Sequence, residues 1–180
     1  MKRLTLFLTI LSTLFLGKLS AQDTPKIPFD TITKKITYQE VIKIEGSKQI
    51  LYNRALDWIN ATYKNAVEVT RKRDLENGII EGMHRFRLEF IDKDGVSKKI
   101  STVEYTFILE FKDNRFRYTF TDFTLKEVSK FTLERWLNKK DQAYTPLWDQ
   151  YLAQVDKNIR ELIEKLKTSM QPKIIKKDEW

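Results

Sequence analysis

Residues Ile100–Leu125 read ISTVEYTFILEFKDNRFRYTFTDFTL, and the alternation in this stretch sets the fold. Val103, Tyr105, Phe107, Leu109 and Phe111 share one parity, while Thr102, Glu104, Thr106 and Glu110 share the other. That is the period of a strand with one buried face. A two-residue type I′ turn at Asp113 and Asn114, both tolerant of positive φ, sets Phe111 opposite Phe116, Leu109 opposite Tyr118 and Phe107 opposite Phe120. The same register sets Glu110 against Arg117 on the outer face. A one-residue slip would turn every one of these rings into water, so the pairing is strongly specified. Beyond Phe120 the parity changes to Phe123 and Leu125, which predicts a bulge near Thr121 and Asp122.

Upstream, AVEVTRKRDLENGIIEGMHRFRLEF (66–90) predicts a second hairpin, turning at Asn77 and Gly78. Its register pairs Leu75 with Ile80, Val69 with Phe86 and Val67 with Leu88, with Glu68 meeting Arg87 and Asp74 meeting Glu81 on the other face. Asp92 to Gly95 forms the loop between the two hairpins. Before them, Ile36, Tyr38, Ile42 and Ile44 alternate with Gln39, Val41 and Lys43, predicting a first strand over Lys35–Glu45 that Gly46 ends. Ser47 caps a helix to about Lys64 whose inner side carries Leu51, Ala55, Trp58, Ile59 and Thr62. After the aromatic hairpin, Leu133, Trp136 and Leu137 face the core from a short helix. Thr145 and Pro146 then open a long helix, about 146–169, with the stripe Trp148, Leu152, Val155, Ile159, Leu162 and Leu166. The expected fold is α+β: an antiparallel sheet of about five strands in the order β-α-β-β-β-β-α, with the helices packed on one face.

Met1–Ala21 has the form of a secretory signal peptide. Lys2 and Arg3 precede the apolar run Leu4–Gly17, and Ser20 and Ala21 offer a cleavage site. The run is shorter than the ~20 apolar residues of a membrane-spanning helix. Removing it takes away Lys2, Arg3 and Lys18, leaving 30 basic against 25 acidic residues, a net +5 in place of +8. Residues 22–34, with Pro25 and Pro28, form an extended lead-in; 35–170 form a single domain, with the sheet and first helix in 35–125; and 171–180 fray. The expected location is outside the cytoplasm, periplasmic or secreted, with no membrane span after cleavage. With no cysteine in the chain, disulfides, thiolate metal sites and cysteine nucleophiles are excluded.

The strand, the GSKQILYNRALDWI helix (46–59), the D-x-x-x-G-x-I-x-G-like turn of Asp74, Gly78, Ile80 and Gly82, and the aromatic hairpin together resemble a known family. It is a family of exported bacterial domains of unknown function with a TATA-binding-protein-like fold. The resemblance spans roughly Lys35 to Leu125. It implies an antiparallel sheet with helices on one side and brings no catalytic residues; the C-terminal helix lies outside it.

His84 is the only histidine, so histidine metal clusters and paired-histidine chemistry are excluded, and a structural imidazole opposite Arg71 is the expectation. There is no G-x-S-x-G, P-loop or dinucleotide fingerprint. Glu104 and Glu110 lie six residues apart on one strand, ~20 Å, too far for paired acid and base work. No metal and no cofactor is predicted. The outer sheet face is the most informative constellation. Arg85, Arg87, Arg115, Arg117 and Thr119 are the candidate ligand-binding residues, with Thr102, Thr106, Ile108 and Thr121 between them. Basic and hydroxyl-lined, this face suits an anionic ligand or a protein partner. Nucleic acid is disfavoured, because the aromatics that would stack on bases point into the core. The expected role, its activity unknown, is a non-enzymatic binding module acting through this face or the long C-terminal helix. The rivals are a small envelope enzyme working through carboxylates and a homodimer formed through Pro146–Thr168.

Overall fold

The computed structural model describes residues 26–91, 96–126 and 131–172. The leader, the Asp92–Gly95 loop and the tail from Lys173 onward lie outside the described residues. In chain order the elements are β1 (Phe29–Asp30), β2 (Lys35–Ile36), β3 (Tyr38–Lys43), α1 (Lys48–Thr62), α2 (Ala66–Val69), β4 (Thr70–Asp74), β5 (Ile79–Ile91), β6 (Ser97–Lys112), β7 (Arg115–Leu125), β8 (Phe131–Thr132), a 3-10 helix (Leu133–Leu137) and α3 (Leu147–Ser169). The main sheet runs β3-β7-β6-β5-β4, with β8 added beside β7. All its pairings are antiparallel. One hydrophobic core joins the inner face of this sheet to α1 and α3.

The β6–β7 hairpin has the register its alternation dictates. Phe111 faces Phe116, Leu109 faces Tyr118, Phe107 faces Phe120 and Glu110 faces Arg117. The expected bulge falls at Asp122, whose φ is 56°, where Glu104↔Thr124 gives way to Thr106↔Thr121. The turn departs from type I′, since Asn114 is left-handed (φ 59°) and Asp113 is not. Both side chains serve the corner before α1 instead. Asp113 Oδ1 accepts the Lys48 N–H at 2.7 Å, and Asn114 Oδ1 accepts the Gly46 N–H at 3.2 Å. Ser47 caps α1 as expected, accepting the Ile50 N–H at 3.3 Å.

The second hairpin differs from its sequence reading by two residues. Asp74 faces Ile79, Arg73 faces Ile80 and Lys72 faces Glu81, so the loop holds four residues, Leu75–Gly78. Gly78 alone is left-handed there (φ 66°) and donates its N–H to the Leu75 carbonyl at 3.1 Å. Asp74 Oδ1 accepts the Asn77 N–H at 2.9 Å, closing a side-chain turn that a two-residue loop would not contain. Val67 and Val69 are not strand residues. Asn65 caps a single helical turn by accepting the Glu68 N–H at 3.3 Å, and Val67 is left 80% exposed. Glu68 consequently reaches Arg85, at 3.8 Å, rather than Arg87. His84 does not face Arg71, because Arg71 falls in the register break of β4 and the ladder ends at Thr70↔Gly82, before His84.

Two further expectations change. The lead-in doubles back, so that Phe29↔Ile36 and Asp30↔Lys35 form a small separate ladder. Along α3, Ile163 is buried where Leu162 was expected, and Asp156 joins Trp148, Leu152, Val155, Ile159 and Leu166 on the buried side. That stripe packs into the core, with Leu162 partly buried against it.

Candidate functional site

Opposite the helices, the sheet presents an open face whose rows follow from the registers. One row crosses Val41, Arg117, Glu110 and Ile79; the next crosses Gln39, Thr119, Ile108 and Glu81. The centre is a hydroxyl and amide surface. Gln39 Nε2 donates to Thr119 Oγ1 at 2.9 Å, and the hydroxyls of Thr37 and Thr121 lie 3.2 Å apart. Thr119 is therefore buried and occupied, a part of the floor rather than a projecting contact.

The four candidate arginines separate into two pairs. Arg85 and Arg87 lie on β5, across from Glu104 and Thr102. Arg117, on β7, is level with Glu110 and hence with Ile79, six residues from Arg85 along β5. Strand rise makes that separation ~20 Å, so no small ligand touches both pairs. Arg85 and Arg87 share a hollow of about 400 Å³ with Lys99, Lys126 and Thr102. Acids are interleaved there, with Glu104 opposite Arg85, Glu89 opposite Lys99, and Glu68 3.8 Å from Arg85.

The end near the β6–β7 turn is different. Arg117 is held by both oxygens of Glu110, Nε to Oε2 at 2.5 Å and Nη2 to Oε1 at 2.6 Å, an arrangement that raises its already high pKa. Arg115 has no such partner. It lies between Lys43 of β3 and Lys112 of β6 in one cross-strand row. Outer-face parity brings these three cations together, and none makes an ion pair among the described residues. Glu110 and Asp113, on the same hairpin, are engaged elsewhere, Glu110 by Arg117 and Asp113 by the Lys48 N–H. Beside the row is a hollow of about 240 Å³ walled by Val41, Phe116, Lys112, Arg115 and the paired Glu110 and Arg117. Lys43 and Lys112 were not among the sequence candidates. Their parity was legible, but the β3–β7 adjacency that completes the row is a non-local pairing.

A second polar cluster ties α3 to the sheet. Tyr38 donates its hydroxyl proton to Asp156 Oδ1 at 3.0 Å, and Arg160 Nε donates to Oδ2 at 2.8 Å. Tyr118 donates to Glu40 Oε2 at 2.8 Å, and Lys167 approaches the same oxygen at 3.0 Å. Lys167 and Tyr118 hold the Glu40 carboxyl below its ordinary range, while burial pushes both tyrosine hydroxyls up. Every member is satisfied by another, so the cluster acts as a fastening rather than as chemistry awaiting a substrate. His84 is half-buried against the Tyr63 ring, 4.6 Å between centroids, and burial lowers its pKa. Among the described residues no group of three or more His, Asp or Glu could hold a metal ion, and no helix is long and apolar enough to cross a membrane.

Residues 38–126 match a family model described as a domain of unknown function (DUF4468) with TBP-like fold. Two solved structures share the architecture. A DUF4468 family protein from Bacteroides ovatus superposes with a TM-score of 0.59 at 17% identity, over 83% of this chain and 94% of that one. A TBP-like protein from Parabacteroides distasonis superposes with a TM-score of 0.54 at 14% identity, over 78% and 97%. At such identities the likeness is one of fold alone. No curated protein matches the chain.

Proposed function

From the match of residues 38–126 to the DUF4468 family of TBP-like domains of unknown function, we propose that the chain is an exported, non-enzymatic binding protein of the cell envelope. It holds an acidic partner on the open face of its sheet, at the end built from Lys43, Lys112 and Arg115. One observation carries this reading: three adjacent cations in a single row without an acid among them. Like charges directly across neighbouring strands destabilise a sheet, and elsewhere on this face cations stand opposite acids, Arg117 across from Glu110, Arg85 from Glu104 and Lys72 from Glu81. A row that departs from that pattern gains stability when an anion covers it.

Export rests on the leader pattern of Met1–Ala21, with a mature chain beginning at Gln22 and a single domain over 35–170. N-terminal sequencing of the protein from the bacterial envelope then reads from Gln22; an intact Met1 on a cytoplasmic protein overturns export. For the site, binding of the chain to polyglutamate is measured at low and at ~0.15 M salt, where screening of exposed charge is substantial. Lys112→Ala with Arg115→Ala weakens binding about tenfold or more, and Arg85→Ala with Arg87→Ala changes it little. Equal losses from the two pairs, or no binding at all, refutes the assignment.

A further inference from the structure

β3 is an edge strand, hydrogen-bonded to β7 on one side only. In an antiparallel pair, successive residues alternate between pointing N–H and C=O at the neighbour and pointing them away. Ile44 donates its N–H to the Asn114 carbonyl at 3.1 Å, in the register that continues Ile42↔Phe116 and Glu40↔Tyr118. The even-numbered residues of β3 therefore face β7 and the odd-numbered residues face outward. Thr37 obeys the same rule, donating outward to the Pro28 carbonyl at 3.2 Å. The lead-in covers the edge at Thr37. Gln39, Val41 and Lys43 continue that edge with outward backbone groups that have no partner among the described residues.

The opposite edge is defended. β4 carries Arg71, Lys72 and Arg73 and a register break between Thr70 and Lys72, two devices that deter strand addition. β3 pairs with β7 without a break and leaves Val41 55% exposed at its centre. Its outer-face side chains merge with the cation row, because Lys43 is both the end of that row and a residue of the open edge.

We propose that the free edge of β3 accepts an extended segment of a partner polypeptide as an added antiparallel strand. The segment's side chains on the outer face read, from its N-terminus, acidic, apolar, polar at alternate positions. This rests on the reading of the outer face as an acid-binding surface and adds the class of partner and its mode of docking. An antiparallel strand meets Lys43 first, then Val41, then Gln39. An acidic residue at the first position continues the row Lys112–Arg115–Lys43 with the opposite charge. An apolar residue at the second lies on Val41 and the 240 Å³ hollow beside it. A hydroxyl or amide at the third meets the Gln39 amide. A second copy of β3 fits less well: paired about Val41, it sets Lys43 against Gln39 and leaves the cation row of each copy unneutralised.

The test uses the full chain and a labelled peptide of about nine residues, mostly threonine, with Glu, Val and Gln at the three inward positions. A second peptide differs only by N-methylation of the valine, which removes the N–H aimed at β3. The first peptide binds. The methylated one binds about tenfold more weakly, as expected for a lost backbone hydrogen bond and a displaced strand. Lys43→Glu reverses the preference toward a peptide with Lys in place of Glu. Because methylation leaves the protein untouched, the comparison does not depend on how a variant folds. Binding that ignores methylation but falls with Lys112→Ala and Arg115→Ala overturns the added strand while the outer-face reading stands. If neither acidic peptide nor polyglutamate binds, both fall. Self-association abolished by Val41→Pro assigns the edge to a second copy and also overturns the proposal.

Discussion

Gly82 gives the sharpest test of the core, and the perturbation is a single methyl group. It lies on the inner side of β5 directly across from Phe107. A Cβ at this position would stand 2.2 Å from Phe107 Cζ, 2.5 Å from Cε1 and 2.7 Å from the Val69 carbonyl oxygen. Non-bonded carbons rest at about 3.5–4.0 Å, so the ring must retreat by more than ~1 Å. It has nowhere to go. Phe107 is fully buried, stacked on Tyr63 at 5.7 Å and flanked by Trp58 at 6.1 Å and Phe120 at 6.3 Å. Overpacking of this kind, the off-rotamer shift of Phe107 included, costs about 1–3 kcal/mol, and the upper end applies where a backbone oxygen is struck as well as a ring. The lower chain entropy of alanine in the unfolded state returns about 0.5–1 kcal/mol. Gly82→Ala therefore destabilises by about 2 kcal/mol, a fall in Tm of roughly 5–8 °C for a domain of this size. Urea unfolding followed by tryptophan fluorescence reads it, since Trp58 borders the clash. Adding Phe107→Leu to Gly82→Ala should recover part of the loss, a coupling expected only of residues in contact. A loss below about 0.5 kcal/mol for Gly82→Ala alone would refute the packing described for this face.

Three further outcomes follow from the polar contacts. Asp156→Ala strands the Tyr38 hydroxyl and the partly exposed Arg160 guanidinium. It should cost about 2 kcal/mol, more than Tyr38→Phe at about 1 kcal/mol, in the same unfolding assay; the reverse order contradicts the fastening role. Burial pushes the Tyr105 hydroxyl up to about 12 and the Tyr63 hydroxyl well above its ordinary value of 10.0. A raised folded pKa means that this stability is intact below about pH 10 and is lost as pH rises toward 12, so alkaline unfolding and tyrosinate absorbance should appear together. Tyrosinate absorbance from a fully folded protein near pH 10.5, beyond that of its exposed tyrosines, contradicts it. Glu110→Gln releases Arg117 to the cation row and should tighten polyglutamate binding about two- to fivefold in a titration; weaker binding would mean that Arg117 takes no part.

The sequence carried most of the fold because two of its signals were local. Aromatic alternation across Asp113 and Asn114 fixed the β6–β7 register and located the bulge at Asp122. Ser47 and the Leu51–Ile59 pattern fixed α1. The second hairpin misled because Asn77-Gly78 signals a turn without fixing its length, and because Val67-Glu68-Val69 suits either a strand or a single capped helical turn. Asp156 was invisible for a related reason. A carboxylate on the buried side of a helix becomes intelligible only when Tyr38, 118 residues away, stands opposite it. The outer face was legible strand by strand, but not its rows. Arg85, Arg87, Arg115 and Arg117 share a face without sharing a site, and Lys43 joins Arg115 only through the pairing of the first long strand with the last.

The most direct measurement of the central claim is residue-resolved amide chemical-shift perturbation of the isotope-labelled chain during titration with the acidic-apolar-polar peptide. The largest changes are expected at Gln39, Val41, Lys43, Lys112 and Arg115, with Arg85, Arg87 and Lys126 nearly unmoved. Changes concentrated at Arg85, Arg87 and Lys126, or spread evenly over both ends of the sheet, would contradict it.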